Sequence, residues 1–163
     1  MTSRRSVVDY IPRTRALYAP SPPYQWADNR ERPVPWTPLA RPLEHCRVAL
    51  LGSGGVYLEG QTPFALKDDT SIRSIPSDVS VDRLRISHFG YPTGDAEEDA
   101  NCVFPLDPLR KLVRDGVLGE LAPTAIGTMG GIYSQRRVVV ETAPAVVEVL
   151  RAEQVDLLFA VPA

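Results

Sequence analysis

The spacing of apolar positions changes several times along the chain, and each change marks an element. Arg47-Val-Ala-Leu-Leu51 is a short apolar run stopped by Gly52, the pattern of a buried strand entering a glycine turn. Ser71-Ile-Arg-Ser-Ile75 alternates and is closed by Pro76, which reads as a strand end. Leu84-Arg-Ile-Ser-His88 alternates again, with Leu84, Ile86 and His88 on one face. From Pro105 the period becomes helical: Leu106, Leu109, Leu112 and Val113 fall on one stripe, and Gly116 stops it. Ala125-Ile-Gly-Thr-Met129 is a further strand. Thr142 then stands as the expected cap of a helix carrying Val146, Val147 and Leu150. Asp156-Leu-Leu-Phe-Ala-Val161 is apolar throughout after its first residue, as a central parallel strand is.

Strands alternating with helices predict an α/β domain, a mostly parallel sheet with helices on both faces. Ligands of such sheets collect beyond the carboxyl ends of the strands. The segments after Leu51, His88 and Val161 therefore matter most.

The 45 residues before this pattern are different. Eight of the 16 prolines lie there, with seven arginines against four acids, so no long helix can form. Tyr10, Tyr18, Tyr24, Trp26 and Trp36 are spaced through it, and linkers seldom carry so many aromatics. Residues 1–45 are read as an extended Pro/aromatic-rich arm whose Tyr24, Trp26 and Trp36 bury on the body or across a homodimer interface, and residues 46–163 as the α/β domain.

Composition narrows the function. Over 163 residues, 18 basic and 20 acidic side chains leave a net charge of -2, which argues against a nucleic-acid binder. No apolar run is long enough to span a bilayer, and no apolar h-region follows Met1-Thr2-Ser3-Arg4-Arg5; a cytoplasmic protein is expected. Cys46 and Cys102 make no disulfide framework, and with only His45 and His88 beside them no pair has zinc-type spacing, so no metal is expected.

Four segments carry candidate chemistry. Gly52-Ser53-Gly54-Gly55 follows a strand, but Tyr57 stands where a dinucleotide fingerprint needs glycine, and no Gly-Lys-Ser/Thr follows. Ser53, Gly54 and Gly55 remain open to two readings, turn glycines or a nest for an anion or carboxylate. Asp95-Ala-Glu-Glu-Asp99 lacks calcium-loop spacing and reads as a solvated helix start capped by Thr93. Asn101 and Cys102 follow it directly, and Asn101 is expected to converge with His88 and the Gly54-Gly55 turn on one ligand pocket at the carboxyl edge of the sheet. Cys102 is either a small buried hydrophobe or a nucleophile, and the neighbouring acids work against a thiolate. His88 is either a buried, hydrogen-bonded histidine or the chain's best acid/base candidate.

The motifs Leu51-Gly-Ser-Gly-Gly-Val-Tyr-Leu-Glu-Gly-Gln-Thr-Pro-Phe64, Asp69-Thr-Ser-Ile-Arg-Ser-Ile-Pro76, Ile86-Ser-His-Phe-Gly-Tyr91, Asp95-Ala-Glu-Glu-Asp-Ala-Asn-Cys-Val-Phe-Pro105 and Leu118-Gly-Glu-Leu-Ala-Pro123 occur in this order, preceded by Pro35-Trp-Thr-Pro-Leu39. Together they resemble the glycine/sarcosine/betaine/D-proline reductase selenoprotein B family from about residue 34 onward. The resemblance implies a redox subunit acting with a reductase partner subunit on a small amino-acid-like substrate. A pyruvoyl group on that partner would activate the amino group, and no cofactor is expected in this chain. A selenolate or thiolate then attacks the α-carbon as the C–N bond breaks.

The family places that nucleophile in a U/C-x-x-C pattern just after a strand ending in Val-Pro. Here Phe159-Ala-Val-Pro162 is present and the pattern is not. Two expectations follow: a short protein whose open sheet edge a second chain covers, or a selenocysteine codon read as a stop after Ala163. The alternative function is a non-catalytic scaffold or small-molecule or partner-binding module, and a homo-oligomer fits either reading.

Overall fold

The computed structural model describes residues 36–163, together with the isolated positions Ala16 and Pro33. Pro38–Ala163 forms one compact unit, preceded by a separate unit, Met1–Thr37. The expectations for Tyr10, Tyr18, Tyr24 and Trp26 lie outside the described residues; Trp36 is exposed.

Among the residues from 36 onward, seven strands are present: β1 Arg47–Gly52, β2 Val56–Leu58, β3 Arg73–Pro76, β4 Leu84–Ile86, β5 Glu120–Leu121, β6 Thr124–Gly127 and β7 Leu157–Val161. The α-helices there are α1 Gly94–Glu98, α2 Leu106–Arg114, α3 Gln135–Arg137 and α4 Ala143–Ala152, the last two joined by a π-helical turn, Val138–Thr142. β1 is the axis of the five-stranded sheet. It pairs in parallel with β7 from Val48 to Gly52, and in parallel with β5 at Arg47–Val48 and β6 at Leu51–Gly52. Because β7 takes one whole side of β1, β5 and β6 follow one another along the other. β3 adds antiparallel to β6, and β2 and β4 form a separate antiparallel pair.

The pleat explains the core. Val48 and Leu50 of β1, Ile75 of β3 and Ala125 of β6 join Phe104, Leu106 and Leu109 in one buried cluster, so α2 covers that face. Each large side chain buried this way contributes about 1.5–3 kcal/mol. Gly116, at φ +72°, ends the segment after α2 as the pattern required. The step from β6 back across β1 to β7 runs opposite to the step from β1 to β5. Right-handed crossovers in opposite senses carry their helices to opposite faces, which sends α4, with Val146 buried, to the far side.

Three expectations are corrected. β7 is an edge strand among the described residues rather than a central one: its sole partner is β1, and Phe159 and Ala160 are exposed. Apolar composition reports burial against neighbours of any kind, not position in the strand order. The second alternating run ends at Ile86 and lies in the small antiparallel pair, because its backbone bonds go to Val56–Leu58. Thr142 is no cap. The helical run starts eight residues earlier, at Ser134, whose Oγ accepts from Arg137 N at 3.3 Å, while Thr142 Oγ1 donates to Thr70 O at 2.9 Å. Pro144 cannot donate within this run, and the π turn just before it absorbs the mismatch.

Candidate functional site

In doubly wound sheets the crevice opens where neighbouring strands send their connections to opposite faces. Here that place is between the carboxyl ends of β1 and β6. Three chain segments fasten there. Ser53 N donates to Val161 O at 3.0 Å, which ties the turn after β1 to the end of β7. Gly55 N donates to Thr128 O at 3.0 Å, tying the same turn to the segment after β6. Ser87 N donates to Gly55 O at 2.9 Å, bringing in the segment after β4. Gly55 holds φ +70°, and a Cβ on it would lie 2.0 Å from Ser87 O, so only glycine fits. The amides of Ser53 and Gly55 are thus spent within the protein.

Ser53 does more at this edge. Its Oγ accepts from Ala163 N at 3.0 Å and donates to Ala163 O at 3.4 Å. The backbone after β7 is therefore held against the turn after β1. Gly130 closes the arrangement: a Cβ there would meet Ala163 O at 2.7 Å, Ser53 O at 3.0 Å and His88 Nε2 at 3.1 Å. The ends of β1, β6 and β7 and the segment after β4 converge around one residue.

His88 is the chemically distinctive group in this convergence. Its Nδ1 accepts from Gly90 N at 2.9 Å, so in the neutral ring the proton is on Nε2. Nε2 is buried and has no hydrogen-bond partner among the described residues. Burial lowers the imidazole pKa below its ordinary 6.5, which keeps the ring neutral at pH 7. The result is a fixed N–H donor beside the Gly130 backbone. Tyr91 packs on the ring at 4.7 Å and donates from its hydroxyl to Gly54 O at 2.9 Å; Phe89 stacks at 5.9 Å on another side. Phe89 and Tyr133, 6.4 Å apart, carry exposed aromatic surface out from His88.

The other residues singled out from the sequence are placed as follows. Gly55 adjoins the His88 side chain, Gly54 O accepts from Tyr91, and Ser53 reaches the same place through Gly130. Asn101 serves helix α2 instead: its Oδ1 accepts from Asp107 N at 3.0 Å, and its Nδ2 donates to Asp99 Oδ1 at 3.0 Å. Cys102 is exposed, and burial together with Asp99 and Asp95 raises its thiol pKa. A thiol held protonated is a poor nucleophile. Cys46 is fully buried, its Sγ 3.4 Å from Pro42 O. Thr93 stands before α1 with its hydroxyl on Glu97 Oε1 at 2.7 Å. No group of three or more potential metal ligands occurs among the described residues, nor does any described helix have the length and apolarity to cross a membrane.

The sequence reading passed over Gly130-Gly131. The signal was available, since a Gly-Gly pair directly follows a predicted strand, as Gly54-Gly55 does. Tyr91, which supports the His88 ring, carried no separable signal in a Phe-Gly-Tyr turn.

The model of the glycine/sarcosine/betaine reductase selenoprotein B family matches residues 29–161. The chain is 42% identical over 124 residues to the D-proline reductase subunit gamma of Acetoanaerobium sticklandii, covering 76% of this chain and 51% of that one. It is 32% identical over 106 residues to the sarcosine reductase complex component B subunit beta of Peptoclostridium acidaminophilum, covering 60% and 23%. Over 102 residues it is 30% identical to the glycine reductase complex component B subunit gamma of Symbiobacterium thermophilum, covering 60% and 24%. The chain thus spans about half the length of the first of these relatives and about a quarter of the other two. No solved structure matches it. A family match running from residue 29 through the end of β7, over every segment that meets at His88, shows that the chain belongs to the glycine/sarcosine/betaine reductase selenoprotein B family.

Proposed function

We propose that this chain is a redox component of an amino-acid reductase complex, with D-proline as the first substrate to test, and that the carboxyl edge around His88 is where the reductive C–N cleavage takes place. One observation carries this reading: the buried His88 Nε2–H, without a partner among the described residues, beside the backbone that leaves β7. In the family this chain resembles, the selenolate or thiolate follows a strand ending in Val-Pro, as β7 does. An anionic nucleophile there needs a donor, and a neutral imidazole with its proton fixed on Nε2 supplies one without adding a competing acid. Neither Cys46 nor Cys102 has the environment of the attacking group. The pyruvoyl carbonyl belongs to a partner subunit in this reading, so His88, Phe89 and Tyr133 face the interface across which the activated substrate arrives.

The state of the two thiols also favours a second reading, a non-catalytic module that positions partners.

The test is D-proline reduction by the assembled complex carrying His88→Ala or His88→Gln. Loss of the donor is expected to lower kcat by about a hundredfold, with partial recovery in the glutamine variant, which keeps an N–H. A His88→Ala complex of unchanged activity rejects the catalytic reading and leaves the positioning module. Stability gives a separate readout. A folded pKa below 6.5 means the unfolded chain takes up the proton first, so stability is complete above about pH 6.5 and falls on acidification below it. His88→Gln removes that dependence.

A further inference from the structure

From the edge and face of β7 that no described strand or helix covers, we infer that this strand is a docking surface for a further strand and helix, and that its occupant is polypeptide of the class forming the unmatched half of the D-proline reductase subunit gamma. Three observations support this. First, Ser53 N donates to Val161 O at 3.0 Å in the register that pairs Gly52 with Val161, so with a two-residue period Leu157, Phe159 and Val161 bond toward β1 and the amides of Leu158 and Ala160 point away from it, along an edge that no described strand pairs. Such an edge is a ready template for strand addition.

Second, the register pairs Leu157, Phe159 and Val161 with Val48, Leu50 and Gly52, which puts their side chains on the α2 face. Leu157 and Val161 reach the core cluster, whereas Phe159, between them, is 44% exposed. The cover that α2 gives to Val48 and Leu50 does not extend one strand further. A parallel sheet is normally closed on both faces, so the missing layer has the shape of a helix with an apolar side lying over Phe159.

Third, the match covers 51% of the D-proline reductase subunit gamma, so that relative carries about as much polypeptide again. A half of that length contains the material for a strand and its covering helix. A second copy of this chain would fill the edge but not the face, because two β7 strands meeting edge to edge leave both Phe159 rings without a helix.

The experiment co-expresses this chain, tagged, with the unmatched half of the Acetoanaerobium sticklandii subunit as a separate polypeptide. The expected product is a one-to-one complex in which the Leu158 and Ala160 amides exchange at least about tenfold more slowly than in this chain alone. Phe159→Lys, which places a charge on the face without touching the bonds to β1, is expected to weaken the complex at least about tenfold. Its folding is followed separately by circular dichroism. Failure of the two polypeptides to co-purify overturns the inference. So does a complex whose new protection lies away from β7, and so does protection of Leu158 and Ala160 by self-association of this chain alone.

Discussion

Replacing Gly55 by alanine separates two reasons for a glycine, and three positions of this chain allow each to be weighed. At Gly94, φ is not positive and a Cβ would meet nothing within 4 Å; alanine there gains helix propensity, up to about 1 kcal/mol. At Gly60, φ is +91° and the space is again open, so alanine costs the left-handed conformation alone, about 1–2 kcal/mol. At Gly55, φ is +70° and the Cβ would also stand 2.0 Å from Ser87 O and 2.8 Å from its carbonyl carbon. Ordinary contact begins near 3.4 Å, so the Ser87 peptide must retreat by well over an ångström. That movement breaks the 2.9 Å bond from Ser87 N to Gly55 O and strains the one from Gly55 N to Thr128 O. Losing one or both adds about 0.5–1.5 kcal/mol each, and overpacking adds about 1–3 kcal/mol. The expected loss for Gly55→Ala is thus about 2.5–8 kcal/mol, a large share of the usual total stability. The assay is urea unfolding followed by far-ultraviolet circular dichroism, which reads the secondary structure directly. Gly55→Asn is expected to recover only part of the torsional cost, because asparagine eases the left-handed conformation and leaves the overlap. If Gly55→Ala loses no more than Gly60→Ala, the segments after β1 and β4 are not packed as described, and the convergence on His88 is wrong.

Glu141 gives a test on the acid side. Its hydrogen bonds from Arg137 and from Thr70 lower its pKa to about 2 from 4.5. The stability this carries is complete above about pH 4.5 and is lost as pH falls toward 2, so Glu141→Gln flattens the acid limb of the melting profile in that window and leaves the neutral limb parallel. Asn101→Ala leaves the Asp107 amide in the first turn of α2 without its partner and is expected to cost about 1 kcal/mol by thermal melting. The His88 imidazole resonances should not move; a shift would place Asn101 in the His88 site.

Much of this protein can be read from its residues because the forces involved are local. The spacing of Leu106 and Leu109 makes an amphipathic helix whatever it packs against, and Gly116 ends the run because few other residues reach φ +72° easily. Arg47–Leu51 is apolar enough to require burial. Ordered motifs such as Ile86-Ser-His-Phe-Gly-Tyr91 identify the family, since their order records common descent. What could not be read is which strands are neighbours. β7 looks central by composition, yet pairing is decided by bonds between residues more than a hundred positions apart, such as Ser53 N to Val161 O, which no local pattern encodes. The same distance hid the role of His88. The sequence shows a histidine near a strand end. Only the fold removes Nε2 from water, gives Nδ1 a donor from Gly90 and brings Gly130, Ser53 and Ala163 around it. Elements form from neighbours along the chain, whereas the protonation and surroundings of a side chain are set by whatever the remaining chain packs against it.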